Sequence, residues 1–416
     1  MYWRILCACA FVATVTGADW PQWRGPNRDG HTAGRLDALP DSPKTVWKVK
    51  AGPGLASPVV SGDIVIHFDA VNGKETIHAL DRATGEERWQ KAIDTTFHDM
   101  QGPDGPRCTP LVNDGRVYAV SCKGRLACLD LKDGKELWSV NYTNDFGAEF
   151  IGERGNIPGA ARHGNNGTPL VVGDRLYACA GGKEGAGVIC LDKRTGKLIW
   201  KSQNDPAAYA PPALAKLRGI EQVICFTAEG LIGLTPEKGE LLWRVPIKTA
   251  YGRHATAPVW HDDIVVVSSH QAGMIGTKIT RDGDAWKAEQ AWVSKENAMN
   301  FSSPVSFGRY LYGLGPRKNL ECVDLTTGER VWSKEGYFQS SADKAYAGFV
   351  AIGDNVLCLT DGGLLVLFEA NPEKFVEVAQ TQVCGATWCN PAYADGRLYL
   401  RDGNKGAGNL MCVDLK

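Results

Sequence analysis

The chain has 416 residues, 48 of them glycine and 13 tryptophan, and its 46 Lys and Arg nearly balance 47 Asp and Glu for a net charge of −1. That balance, without a basic run, excludes nucleic acid and anionic lipid as electrostatic partners. Abundant Gly and Trp with little helical periodicity point to an all-β chain, and at this length to repeats rather than several independent domains.

Residues 1–18 read as an export signal: Arg4 is the charged region, 5–15 the apolar stretch, and Thr16-Gly17-Ala18 the small-residue exit. A lipid-anchor reading through Leu6-Cys7-Ala8-Cys9 leaves an apolar segment of only about four residues, against the roughly 7–15 a signal needs. Residues 19–44 form an N-terminal extension and 45–416 a single repeat domain. No later stretch reaches the roughly 18 continuous apolar residues of a membrane span. The mature chain is expected in the periplasm or outside the cell, as a monomer.

From residue 45 onward one pattern recurs: a small residue and Pro, an apolar strand, a Gly-containing turn, two further strands ending in Asp, a Thr-Gly turn, and Trp. The tail is spelled out in Asp81-Arg82-Ala83-Thr84-Gly85-Glu86-Glu87-Arg88-Trp89 and returns at Asp130, Asp192, Thr235 and Asp324, each eight residues before Trp138, Trp200, Trp243 and Trp332. The Asp accepts turn N–H groups, the Gly supplies a positive φ, and the Trp opens an outer strand that buries its ring between sheets. The heads are Ser57-Pro58, Thr109-Pro110, Thr168-Pro169, Pro211-Pro212, Ala257-Pro258, Ser303-Pro304 and Asn390-Pro391, with an eighth, lacking Pro, near Ala347. Pro suits a strand's first residue, where no ladder N–H is needed.

The repeats predict an eight-bladed β-propeller of four-stranded antiparallel blades; seven blades remain if the degenerate repeat at Ala347 is not a blade. The last repeat ends at Asp414 without its Trp strand, while Thr45-Val46-Trp47-Lys48-Val49-Lys50 is a Trp strand with no repeat before it. The N-terminal strand is therefore expected to complete the last blade and remove the open edges.

This Asp-x-x-Thr-Gly-x-x-x-Trp tail resembles the tryptophan-docking repeat of the quinoprotein alcohol dehydrogenases and of the outer-membrane-assembly propeller lipoprotein. The opening Asp19-Trp20-Pro21-Gln22-Trp23-Arg24-Gly25 is similar to the start of exported propellers of that superfamily. The resemblance spans nearly the whole mature chain and implies fold far more than activity.

Of thirteen cysteines, eleven lie beyond the leader. Cys128, Cys190, Cys322 and Cys412 occupy the repeat position where other copies carry Ala79 and Gly233. A site accepting Ala, Gly or Cys reads as core packing. Cys384 and Cys389 are the remaining candidates for a disulfide. There is no C-x-x-C, C-x-x-C-H or H-E-x-x-H.

Loop length selects the working face. Turns such as Val60-Ser61-Gly62-Asp63 are terse, whereas the connections at 97–108 and 142–168, which share the opposite face, are long. They deliver polar residues just ahead of the innermost strands, giving the funnel candidates Arg107, His163, Asn165 with Asn166, Arg253, His254, Asn300, Lys344 and Trp388. Channel-lining polar residues that satisfy buried backbone are the competing reading of each. The expected function is a non-catalytic, exported binding scaffold presenting this face to a protein, peptide or glycan, with no cofactor, metal or catalytic residue assigned. The alternative is a pyrroloquinoline-quinone (PQQ)-dependent alcohol or sugar dehydrogenase with calcium. Trp388 offers a stacking floor for such a cofactor, but the adjacent Cys-Cys pair of many of those enzymes is absent, as is a convincing Glu, Asn and Asp set for the metal.

Overall fold

The repeated tail folds as its residues dictate. In the first copy Asp81 Oδ1 accepts the N–H groups of Ala83 and Thr84, both at 2.9 Å, and Gly85 takes φ 76°. A register shift in the following strand pair then sets Trp89 opposite Ala79. The same shift places Trp138, Trp200, Trp332 and Trp47 opposite Cys128, Cys190, Cys322 and Cys412, and Trp243 and Trp292 opposite Gly233 and Gly276. The small residue of the repeat is thus the seat beneath an indole.

The computed structural model describes residues 19–98, 102–152 and 159–416; the leader expected at 1–18 lies outside them. The described chain forms eight antiparallel blades, all β save two short helices. The first blade comprises Val59–Ser61, Ile64–Val71, Lys74–Asp81 and Glu87–Thr95. Each indole reaches into the next blade. Its Nε1–H donates to a turn carbonyl there, Trp89 to Leu131 at 2.9 Å and Trp200 to Pro236 at 3.0 Å, while the turn glycine lies on the ring. Trp243 instead donates to Gln222 Oε1 at 2.6 Å within its own blade. Its neighbour replaces the Thr-Gly turn with the long hairpin Gly273–Asp282 and Ala285–Ser294.

The degenerate repeat is a complete seventh blade, Ala347–Ile352, Asn355–Thr360, Leu364–Glu369 and Glu377–Gln382. Asn371 takes over the turn, accepting the N–H of Glu373 at 2.8 Å and offering its carbonyl to Trp332. The eighth blade joins Ala392–Ala394, Arg397–Arg401 and Gly408–Asp414 to the strand Lys44–Ala51, with Lys44 opposite Asp414 and Ala51 opposite Gly408. The ring therefore closes as its ends imply.

The extension ahead of this strand does more than precede it. Trp20 bridges Val60 of the first blade, the Pro21 carbonyl accepts from Val112 of the second, and Arg28 donates to the Thr168 and Pro169 carbonyls at the third. Arg24 reaches the Pro304 carbonyl before the sixth, and His31–Thr32 adds a parallel strand to the seventh. The segment spans the central channel at the level of the innermost strands.

All eleven described cysteines are free thiols. Cys384 and Cys389 are not bridged: their sulfurs face the Gly385 and Leu55 carbonyls, at 3.2 and 3.3 Å. The four cysteines beneath indoles are fully buried, and burial raises their pKa.

Candidate functional site

The described parts of the connection at 142–168 fold locally before they reach the channel. Asn141 caps the helix Tyr142–Phe146 by accepting the N–H groups of Thr143 and Asn144 at 3.0 Å, and Gly147, at φ 69°, ends it. Farther along, the helix Ala160–His163 rests on the fourth blade's approach through Ala160 N–H to the Ala207 carbonyl, 2.9 Å.

These loops and their counterparts surround a cavity of about 1100 Å³ at the mouth of the channel. The strand heads Ser57, Thr109, Thr168, Pro211 and Asn390 form its wall, and Trp23, from the segment crossing the channel, also lines it. Trp388 packs with Phe301 at 5.7 Å between ring centroids and with Tyr346 at 6.1 Å, nearly parallel. Beneath them Arg24 lies 5.5 Å from the Trp23 ring centroid, 2 % exposed. Burial lowers the Arg24 pKa to about 10, which leaves it charged at neutral pH.

Arg107, His163, Asn166, Arg253, Lys344 and Trp388 all line the cavity. Arg107 is braced by the carbonyl of His163, 2.9 Å from Nη1, and lies over the Phe97 ring. Arg253 lies over one ring, Tyr251 at 5.2 Å, which it shares with Arg162 at 5.0 Å.

Asn165, His254 and Asn300 are not among the lining residues. Asn165 Nδ2 donates to the Cys122 carbonyl at 3.1 Å. His254, with no exposed surface, stacks on Phe226 at 4.1 Å and bonds through Nδ1 to the Thr227 carbonyl at 2.6 Å, and burial lowers its pKa to about 4. It is a neutral core histidine, drawn inward by the strand beside it. Asn300 carries a buried Oδ1 with no hydrogen-bond partner.

Trp23, Phe301 and Tyr346 are lining residues that a search for polar groups passes over, while Lys405, between Arg397–Arg401 and Gly408–Asp414, lies away from the positions just ahead of an innermost strand. Phe301 and Tyr346 follow the same positional rule as Asn300 and Lys344, immediately before an inner strand, so applying that rule without a polarity filter finds them. Trp23 was signalled only by the aromatic density of Trp20-Pro21-Gln22-Trp23 outside the repeat.

A family model described as outer membrane protein assembly factor BamB matches residues 32–156 and 158–334. The chain belongs to this BamB propeller family. The outer membrane protein assembly factor BamB of Moranella endobia is 24 % identical over 271 residues, 63 % of this chain and 62 % of that protein. The chain thus spans under two thirds of that curated relative's length. The crystal structure of BamB from Moraxella catarrhalis superposes with a TM-score of 0.60 at 15 % identity, covering 90 % of this chain and 98 % of that one. Quinohemoprotein alcohol dehydrogenase ADHIIG from Pseudomonas putida HK5 gives 0.65 at 12 % identity, covering 96 % and 80 %. At these identities the superpositions show a shared fold.

The described lining residues of this funnel do not fit a calcium-bound quinone. Calcium takes six to eight oxygens, several from carboxylates, and Asp343 is the sole carboxylate among the described lining residues. Among the described residues no group of three or more His, Cys, Asp or Glu side chains is arranged to hold a metal ion. No described helix is long and apolar enough to cross a membrane.

Proposed function

We propose that this BamB-family chain is an exported, non-catalytic scaffold that binds a protein partner through its funnel face, in the assembly of outer membrane proteins. The observation that carries this reading is the blind cavity: it opens where the long loops gather, and its far side is crossed by the segment bearing Trp23 and Arg24. A closed floor suits a cavity that holds a ligand, because groups displaced from water are then fixed on several sides. Membership of the BamB family supports a partner of polypeptide type.

The test is site-specific photo-crosslinking in the periplasm, with the probe at Lys344 or Lys405 on the funnel and at Lys197 or Lys238 in the opposite turns. A polypeptide adduct confined to the funnel positions is expected; adducts at the turns alone would refute the assignment of the face. Added quinone and calcium are expected to produce no dye-linked oxidation of alcohols or sugars.

A further inference from the structure

The charge of the funnel departs from that of the chain. Arg107, Arg253, Lys344 and Lys405 line it with Asp343 as the one carboxylate among the described lining residues, although the protein as a whole carries −1. Among the described residues Arg253 and Lys405 form no ion pair with a carboxylate, Lys344 has Asp343 as its charged neighbour, and both lysines are exposed at the mouth. The floor adds to this field. Arg24 and Arg28 meet backbone carbonyls, at Asp29, Pro304, Thr168 and Pro169, and the amide oxygen of Gln22, and the Asp29 carboxylate offsets part of this pair's charge. Cations around a low-dielectric pit focus positive potential into it and favour anions. Trp23, Phe301, Tyr346 and Trp388 add four aromatic side chains to a lining that is otherwise mixed polar and apolar.

We infer that the funnel binds an acidic peptide segment bearing an aromatic side chain, its carboxylates on Arg253, Lys344 and Lys405 and its ring against Trp388. This inference rests on the funnel being the working face. Trp388 stacks nearly parallel on Tyr346, at 23°, and lies at 35° to Phe301, so the three rings form a cluster against which an aromatic side chain can pack. An anionic glycan is accordingly the rival that the test must separate.

The probe is a fluorescein-labelled Asp- and Glu-rich hexapeptide with one central Phe, followed by anisotropy with the full mature chain. The controls are its Lys-for-acid counterpart, its Phe-to-Ala version and an oligogalacturonate. Binding of the acidic peptide that weakens roughly tenfold in K344E/K405E, and again in R253Q, is expected, with further weakening at high salt. Both lysines are exposed, so the double variant tests charge without threatening the fold. Loss of the Phe ring or of Trp388 (W388A) is expected to cost a similar factor. Equal binding of the Lys peptide, binding unchanged in K344E/K405E, or preference for oligogalacturonate would overturn the inference. If funnel crosslinks to a polypeptide persist while the acidic peptide fails to bind, the ligand chemistry is wrong and the functional face stands. Crosslinks confined to the opposite turns would instead remove the face itself.

Discussion

The indole of Trp47 donates to the carbonyl of Arg82 at 2.9 Å, so a residue that completes the eighth blade is latched to the first. The Gly85 that follows in the first blade's turn lies against the same ring, and a Cβ there would come within 2.7 Å of it. Arg82 in turn bonds Tyr399 and Asp395 of the eighth blade at 3.0 and 2.7 Å, fastening the seam from the other side.

Replacing Trp47 by Ala removes both the latch and a buried ring, and a loss of about 3–5 kcal/mol is expected. Denaturant melts of W47A against the parent check it; a change within error would contradict the seam as a site of closure.

The channel-crossing segment changes an expectation about truncation. From the repeat alone, deleting 45–50 should be far worse than deleting 19–30, because only the former completes a sheet. The structure buries Trp20 and Arg24 at 2 % exposure among five blades. Both truncations are now expected to lower the melting temperature substantially, as calorimetry on the two deletions would read.

The seat beneath each indole predicts a graded series. Cys322 opposite Trp332 tolerates Ala at small cost, whereas Gly276→Leu opposite Trp292 forces overlap with the ring, costing about 1–3 kcal/mol or more. Parallel melts of C322A and G276L would show the order; its reversal would mean that the small residue is not a steric requirement.

Two histidines give stability opposite pH slopes. His254 has a folded pKa of about 4, below the unfolded value of about 6.5, so the unfolded chain takes the proton first. Its contribution is whole above about 6.5 and declines by roughly 3 kcal/mol as pH falls toward 4. His78 behaves in reverse. Burial pulls its pKa down, but hydrogen bonds to Asp69 at 3.0 Å and Glu87 at 2.6 Å outweigh burial and raise it. Its contribution is full below about 6.5 and is lost as pH rises through the folded value. Chemical denaturation across pH should show H254Q flattening the acid limb and H78Q the alkaline one.

A chain beginning at Asp19 should titrate as eleven free thiols in denaturant, with Cys384 and Cys179, the partly exposed members, reacting first in the native state. Nine thiols in denaturant would indicate a bridge.

Much of the architecture was legible because its signals are local. The eight-residue step from Asp to Trp, the head Pro and the small residue two places before the Asp each follow from turn chemistry, strand alternation or the bulk of an indole. The orphan Trp47 strand even disclosed closure, since an unfinished last blade leaves an edge that only the other end of the chain can fill. The funnel was legible only in part. Arg107, Arg253, Lys344 and Trp388 sit where position in the repeat put them, but the same rule offered His254, which turns inward onto Phe226.

What the sequence by itself determined is the repeat unit, its small core position and the strand that closes the ring, because these are set by residues a few positions apart; whether the repeat at Ala347 is a full blade was settled by the structure. What only the tertiary structure decided is the floor of the channel and the composition of the pit above it. Those depend on contacts such as Arg24 with the Pro304 carbonyl, 280 residues away. No local propensity encodes such a meeting; it exists once the ring has closed and brought the inner strands of distant blades around one short segment.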